Sequence, residues 1–180
     1  NRPATHFESA MQVYQGEKMD IRKILEYALQ REYEGKAFFE NNADRLSNAA
    51  ARGAFIKIAK EEQRHIDFIL AHLASLDANK PLTHAAPEMD EVDILTGRAA
   101  SEMIEQSVNE SMVADLPVLR LAYLIERDFS EFYHQAAAKA EGEAKKTLEM
   151  LAHWEAGHER LFKRLHDEAF EKYTDMPWGG

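Results

Sequence analysis

Four glutamates and two histidines stand where the apolar stripes of amphipathic helices should run unbroken, and they do so in a pattern that occurs twice. Ala59-Lys60-Glu61-Glu62-Gln63-Arg64-His65 lies over Ala152-His153-Trp154-Glu155-Ala156-Gly157-His158. Upstream, Ala28-Leu29-Gln30-Arg31-Glu32 with Phe38-Phe39 resembles Tyr123-Leu124-Ile125-Glu126 with Phe132-Tyr133, the aromatic pair falling six and seven residues after the glutamate both times. Each half of the chain thus offers a lone Glu and then Glu-x-x-His. Glu32 continues the stripe Leu25, Ala28, Leu29, while Glu62 and His65 interrupt Phe55, Ile58, Ile69 and Leu76. Glu155 and His158 interrupt Leu148, Leu151, Phe162 and Leu165 in the same way. A buried carboxylate without a partner costs several kcal/mol or shifts its pKa, so four in one core require compensating positive charge. No Lys or Arg continues these stripes, and a pair of divalent cations would supply the charge.

The periodicity around these residues is helical throughout. From Asp20 as N-cap, apolar residues at three-and-four spacing predict a helix over about 20–46, and a second over about 49–77. Residues 78–96, with Pro81, Pro87 and the acids Glu88, Asp90, Glu91 and Asp93, read as an exposed linker. A short helix is expected over 97–113. Asp115 followed by Pro117 marks the start of a third long helix, to about 140, and Glu141-Gly142 turns the chain into a fourth, about 143–173. Residues 1–19 form an amino-terminal segment and 174–180 a tail. The expected fold is all-α: a four-helix bundle of two hairpins, joined by one long crossover with its short extra helix between helices 2 and 3.

A geometric test follows. Two residues of a helical hairpin face each other when they are equally far from the turn. Residue 47 lies midway between Glu32 and Glu62, within the break around Leu46-Ser47-Asn48; the midpoint of Glu126 and Glu155 falls at 140–141, against the Glu141-Gly142 turn. Both hairpins bring their carboxylates to one level. At i and i+3 the Glu and His of each motif share a helix face. A Glu from each of two helices plus Glu-x-x-His from each of the other two is the di-iron carboxylate arrangement. The candidate ligands are Glu32, Glu62, His65, Glu126, Glu155 and His158. With oxygen-rich donors and one imidazole per ion, the set suits two Fe ions, with Mn or Zn as alternatives. Tyr133, seven residues after Glu126, faces inward and is a candidate either to hydrogen-bond a ligand carboxylate or to pack in the core as its counterpart Phe39 would. His6, His72, His84, His134, His153 and His166 have no counterpart in the other half and are read as surface residues, with His72 bordering the helix-2 stripe.

Composition narrows the function. The 180 residues contain no cysteine, which removes disulfides, thiolate metal sites and iron-sulfur clusters. A net charge of -10 argues against a nucleic-acid partner. No apolar leader or membrane span is legible, so a cytoplasmic location is expected.

The segments Ala28–Ala43, Ile56–Leu70, Tyr123–Ala138 and Leu151–Leu165 resemble the rubrerythrin branch of the ferritin-like superfamily. The resemblance implies the same six ligands, with Glu62 and Glu155 bridging the ions. It implies a non-haem di-iron oxidoreductase of ferroxidase or peroxidase type that reacts with O2 or hydrogen peroxide; an iron-binding or iron-handling protein without turnover is the alternative. Two departures stand out. Typical rubrerythrins carry a cysteine-ligated rubredoxin module, so here a separate electron donor is expected. Peroxide-reducing members have an extra glutamate three residues after the helix-3 ligand, where this chain has Phe129. Self-association, as a dimer, is the expectation for such a bundle.

Overall fold

A computed structural model of the chain describes residues 20–78, 80 and 110–176. The amino-terminal segment 1–19, the linker beyond 80 and the expected short helix up to residue 109 lie outside the described residues, as does the end of the tail from 177. The described residues form four long helices: α1 (Ile21–Ala43), α2 (Ala49–Asp77), α3 (Leu116–Lys139) and α4 (Gly142–Asp175). A 3-10 turn, Glu110–Asp115, leads into α3. The architecture is the all-α four-helix bundle expected from the periodicity, with α1 packed on α2 and α3 packed on α4 as two hairpins. None of the described helices is long and apolar enough to cross a membrane.

Local chemistry explains the helix ends. Asp20 caps α1, its carboxylate accepting from the Arg22 and Lys23 amides. The helix stops at Ala43 rather than near 46 because the Arg45 and Leu46 amides fold back onto the Asn42 and Ala43 carbonyls, which turns Leu46 into the core at 1% exposure. Asn48 then caps α2 through the Ala50 and Ala51 amides. Asp115 stands at the start of α3, as Asp115 followed by Pro117 indicates, but its side chain makes no capping bond to that helix. It reaches across to the first hairpin instead and accepts the Ser47 amide at 2.8 Å and the Asn48 amide at 2.9 Å. One carboxylate thus ties the α1–α2 turn to the start of α3. At the other turn Gly142 opens α4 with φ of 59°, a left-handed conformation that residues with a Cβ adopt only at a cost.

The apolar core is split into two plugs. One is built on Phe39, Phe55 and Phe162, with Phe39 and Phe162 stacked at 5.2 Å and Phe55 set edge-on to both. The other contains Leu25, Ala28, Ile69, Tyr133, Leu148, Leu151 and Trp154. Each fully buried large side chain contributes roughly 1.5–3 kcal/mol of apolar transfer free energy, so the plugs hold the four helices together. On every helix, the buried glutamates and histidines of the repeat lie between the two plugs.

Asp115→Ala should remove two hydrogen bonds to a carboxylate, one buried and one part-buried, and strand the Asn48 amide, a destabilisation of roughly 2–4 kcal/mol. Chemical denaturation at equilibrium measures it. A loss under about 1 kcal/mol would show that the turn does not depend on this carboxylate.

Candidate metal centre

All six predicted residues meet in the layer between the plugs. Glu32 comes from α1, Glu62 and His65 from α2, Glu126 from α3, Glu155 and His158 from α4, and none is more than 1% exposed. Each sits on the apolar stripe of its own helix, so folding that stripe inward carries the polar group with it. The glutamates belong to the stripe by register. They are buried because their apolar neighbours are.

The residues assemble into two overlapping groups. In Glu32, Glu62, His65 and Glu155 one ligand atom from each lies within 4.8 Å of every other, and the same holds for Glu62, Glu126, Glu155 and His158. Glu62 and Glu155 belong to both. His65 Nδ1 faces three carboxylate oxygens, from Glu155 at 2.8 Å, Glu32 at 3.2 Å and Glu62 at 3.6 Å. His158 Nδ1 faces Glu62 at 3.1 Å and Glu126 and Glu155 at 3.5 Å. A ring nitrogen carries at most one proton, so it cannot satisfy three oxygens at once. Among the described residues, both oxygens of Glu126 lack a hydrogen-bond donor in good geometry. Converging buried oxygens with too few donors, joined by one imidazole each, are the donor set a pair of hard or borderline cations takes. Either group could hold a metal ion.

Protonation reports the same shortage of positive charge. Burial, reinforced by the Glu62 charge, raises Glu32 to about 7. Burial and Glu62 likewise push Glu126 well above the usual carboxylate value. Burial would also raise Glu62 and Glu155, but the two imidazoles beside them hold both below it. Burial disfavours the charged rings of His65 and His158, yet the carboxylates around them raise both well above the ordinary histidine value. Without a cation in the layer, the imidazoles favour charge on Glu62 and Glu155, while burial favours the neutral forms of Glu32 and Glu126.

The surroundings refine the site. The Tyr133 hydroxyl donates to Glu32 Oε1. Phe129, in place of the extra glutamate, is 3% exposed and lies against Gly35, where an added Cβ would stand 3.1 Å from its ring. The Arg31 guanidinium covers the ring at 4.9 Å. Glu61 was not anticipated. It is buried at 1% and one of its oxygens is 2.9 Å from His158 Nε2. Burial would raise it, but the hydrogen bond to His158 leaves its pKa lowered. Lys57 four residues earlier disguises it in the sequence as half of an exposed i,i+4 ion pair. His72 corrects the surface reading: it is 2% exposed, its Nδ1 2.8 Å from the Phe68 carbonyl of its own helix and its ring 4.1 Å from that of Phe68. His134 and His153 are exposed and His166 is half-buried, while His6 and His84 lie outside the described residues.

Comparison with known proteins gives one match, and it covers most of the chain. The sequence model of the Rubrerythrin family aligns with residues 23–166, a span that contains all six residues of the centre. No individual curated protein and no solved structure matches significantly. The matched span runs from the first turn of α1 to the last part of α4, so the bundle is a ferritin-like one and the chain belongs to the rubrerythrin family.

Proposed function

We propose that the chain binds two iron ions through Glu32, Glu62, His65, Glu126, Glu155 and His158, and acts as a non-haem di-iron oxidoreductase on O2 or hydrogen peroxide, with residues 20–173 as the unit that carries the site. The observation that supports this reading is the pair of overlapping ligand groups that share Glu62 and Glu155. When bound, two ferrous ions would supply the electrons for reducing a small oxidant. The protein's part is geometric and electrostatic. Glu62 and Glu155, placed between the two histidines, are positioned to serve both ions. Glu32 and Glu126 would hold the outer sides of the two ions, and because burial raises both carboxyls, protons would compete with metal there. The apolar plugs exclude bulk water above and below the layer, and Phe129 fills the space beside Gly35 and Glu62 with a ring that cannot ligate metal.

Three outcomes test this reading. Anaerobic Fe(II) loading should reach about two ions per chain by elemental analysis. Because Glu32 has a raised pKa near 7, protons compete with metal below that value; affinity should rise through about pH 6–8, up to tenfold per pH unit for each proton displaced. A plateau below two ions, or affinity flat with pH, counts against the paired site.

Glu126→Gln imitates the neutral carboxyl that burial and the neighbouring Glu62 favour at this position. Its melting temperature without metal should stay within about 3 °C of wild type, a change of roughly 1 kcal/mol or less, while one of the two ions is lost. Thermal melts and metal analysis together decide it, since a variant that still takes up two ions removes Glu126 from the ligand set.

The third outcome concerns turnover. With no cysteine among its 180 residues, the loaded chain mixed with O2 or peroxide should show a single burst of ferric absorption per site. Sustained oxidant consumption with neither added iron nor a reductant would refute a need for a separate donor.

A further inference from the structure

The two halves of the centre are built on the same pattern but are not supported alike. The residue before the shared glutamate of each half reaches across the bundle to the histidine of the other half. In α2 that residue is Glu61, whose carboxylate lies 2.9 Å from His158 Nε2. In α4 it is Trp154, whose indole stacks on the His65 ring at 5.1 Å with an interplanar angle of 10°. The positions correspond in the repeat and the contacts correspond in space; the chemistry does not. A second difference points the same way. Tyr133 donates a hydrogen bond to Glu32, drawing charge from a carboxylate of the His65 group, and its counterpart in the repeat, Phe39, has no hydroxyl to do so for the other group.

Resting on the two-ion reading above, we propose that Glu61 is a positioning residue that makes the two metal positions unequal, with the Glu62, Glu126, Glu155 and His158 group the stronger and first to fill. The Glu61 carboxylate takes the Nε2 proton of His158 as a hydrogen bond. That leaves Nδ1, the atom facing Glu62, Glu126 and Glu155, as the donor, and makes the imidazole a better one. The ammonium of Lys57 lies 3.1 Å from the other Glu61 oxygen and helps to keep the buried carboxylate in place. His65 has an aromatic face against it at the equivalent position, which fixes the ring plane without adding charge.

The probe is Co(II), added anaerobically and followed by calorimetry and by its visible ligand-field bands. Wild type should take up two ions in separate steps. Glu61→Gln, which keeps the size of the side chain, should weaken the first step about 10–100-fold, leave the second unchanged and shift the bands of the first equivalent. Trp154→Phe, which keeps a ring against His65, should leave the first step as it is. Paramagnetic NMR of half-loaded wild type needs no variant, and should show the hyperfine-shifted ring N–H of His158 before that of His65. Two equal steps in wild type, both steps weakened alike by Glu61→Gln, or His65 shifted first would each overturn the assignment. A wild-type chain that takes up no Co(II) would instead overturn the metal-site reading on which it rests.

Discussion

The bundle depends on a charge problem solved inside an apolar core. Four carboxylates and two imidazoles form a buried layer, and among the described residues the imidazoles are the groups placed to offset the carboxylates. Burial opposes this charge, at a cost on both sides: it disfavours the charged forms of the two rings and of the carboxylates, and the carboxylates around the rings raise the rings in return. The aromatic and aliphatic plugs above and below make that cost affordable, because their burial holds the helices at the spacing that keeps the polar layer assembled. Stability and chemistry are therefore separated along the helix axis, with apolar ends that fold the chain and a polar middle that is tolerated.

Much of this was legible in the sequence because helix geometry is periodic. Glu32 and Glu126 were found inside because they continue stripes of apolar residues, and the turn midpoints place the glutamates of each hairpin at one height before any coordinates are known. The repeat doubled the weight of a Glu-x-x-His pattern that is weak when it occurs once. What escaped was decided by contacts between elements. Glu61 sits one residue off the stripe, where a helix wheel predicts solvent, and is covered only because α4 passes over it. His72 is drawn inward by Phe68 on its own helix and by the packing of that ring on Trp154. The role of Asp115 depended on where the first hairpin's turn would lie relative to α3. Helical periodicity carries no information about that distance.

Phe129 shows how a single residue can change a site without touching the core of its ligand set. It stands one turn from Glu126 on α3 and fits because Gly35, on the facing helix, has no side chain. Where a carboxylate would bring another negative charge into a layer already short of cations, the ring adds none. The Arg31 guanidinium above it lies over the aromatic face and pairs with Glu34 at 3.2 Å. The charge balance of four carboxylates against two divalent ions stays even.

The crosswise reach of Glu61 and Trp154 bears on why the two hairpins share one chain. A bundle made from two identical half-length chains related by a two-fold axis would be bound to present the same residue to both imidazoles: two carboxylates or two indoles, never one of each. Covalent linkage lifts that restriction, since each position can then be altered without its mate following. A centre whose two sides differ is open to a fused protein and closed to a symmetric pair. The differences between the halves, more than their likeness, are what joining them made accessible.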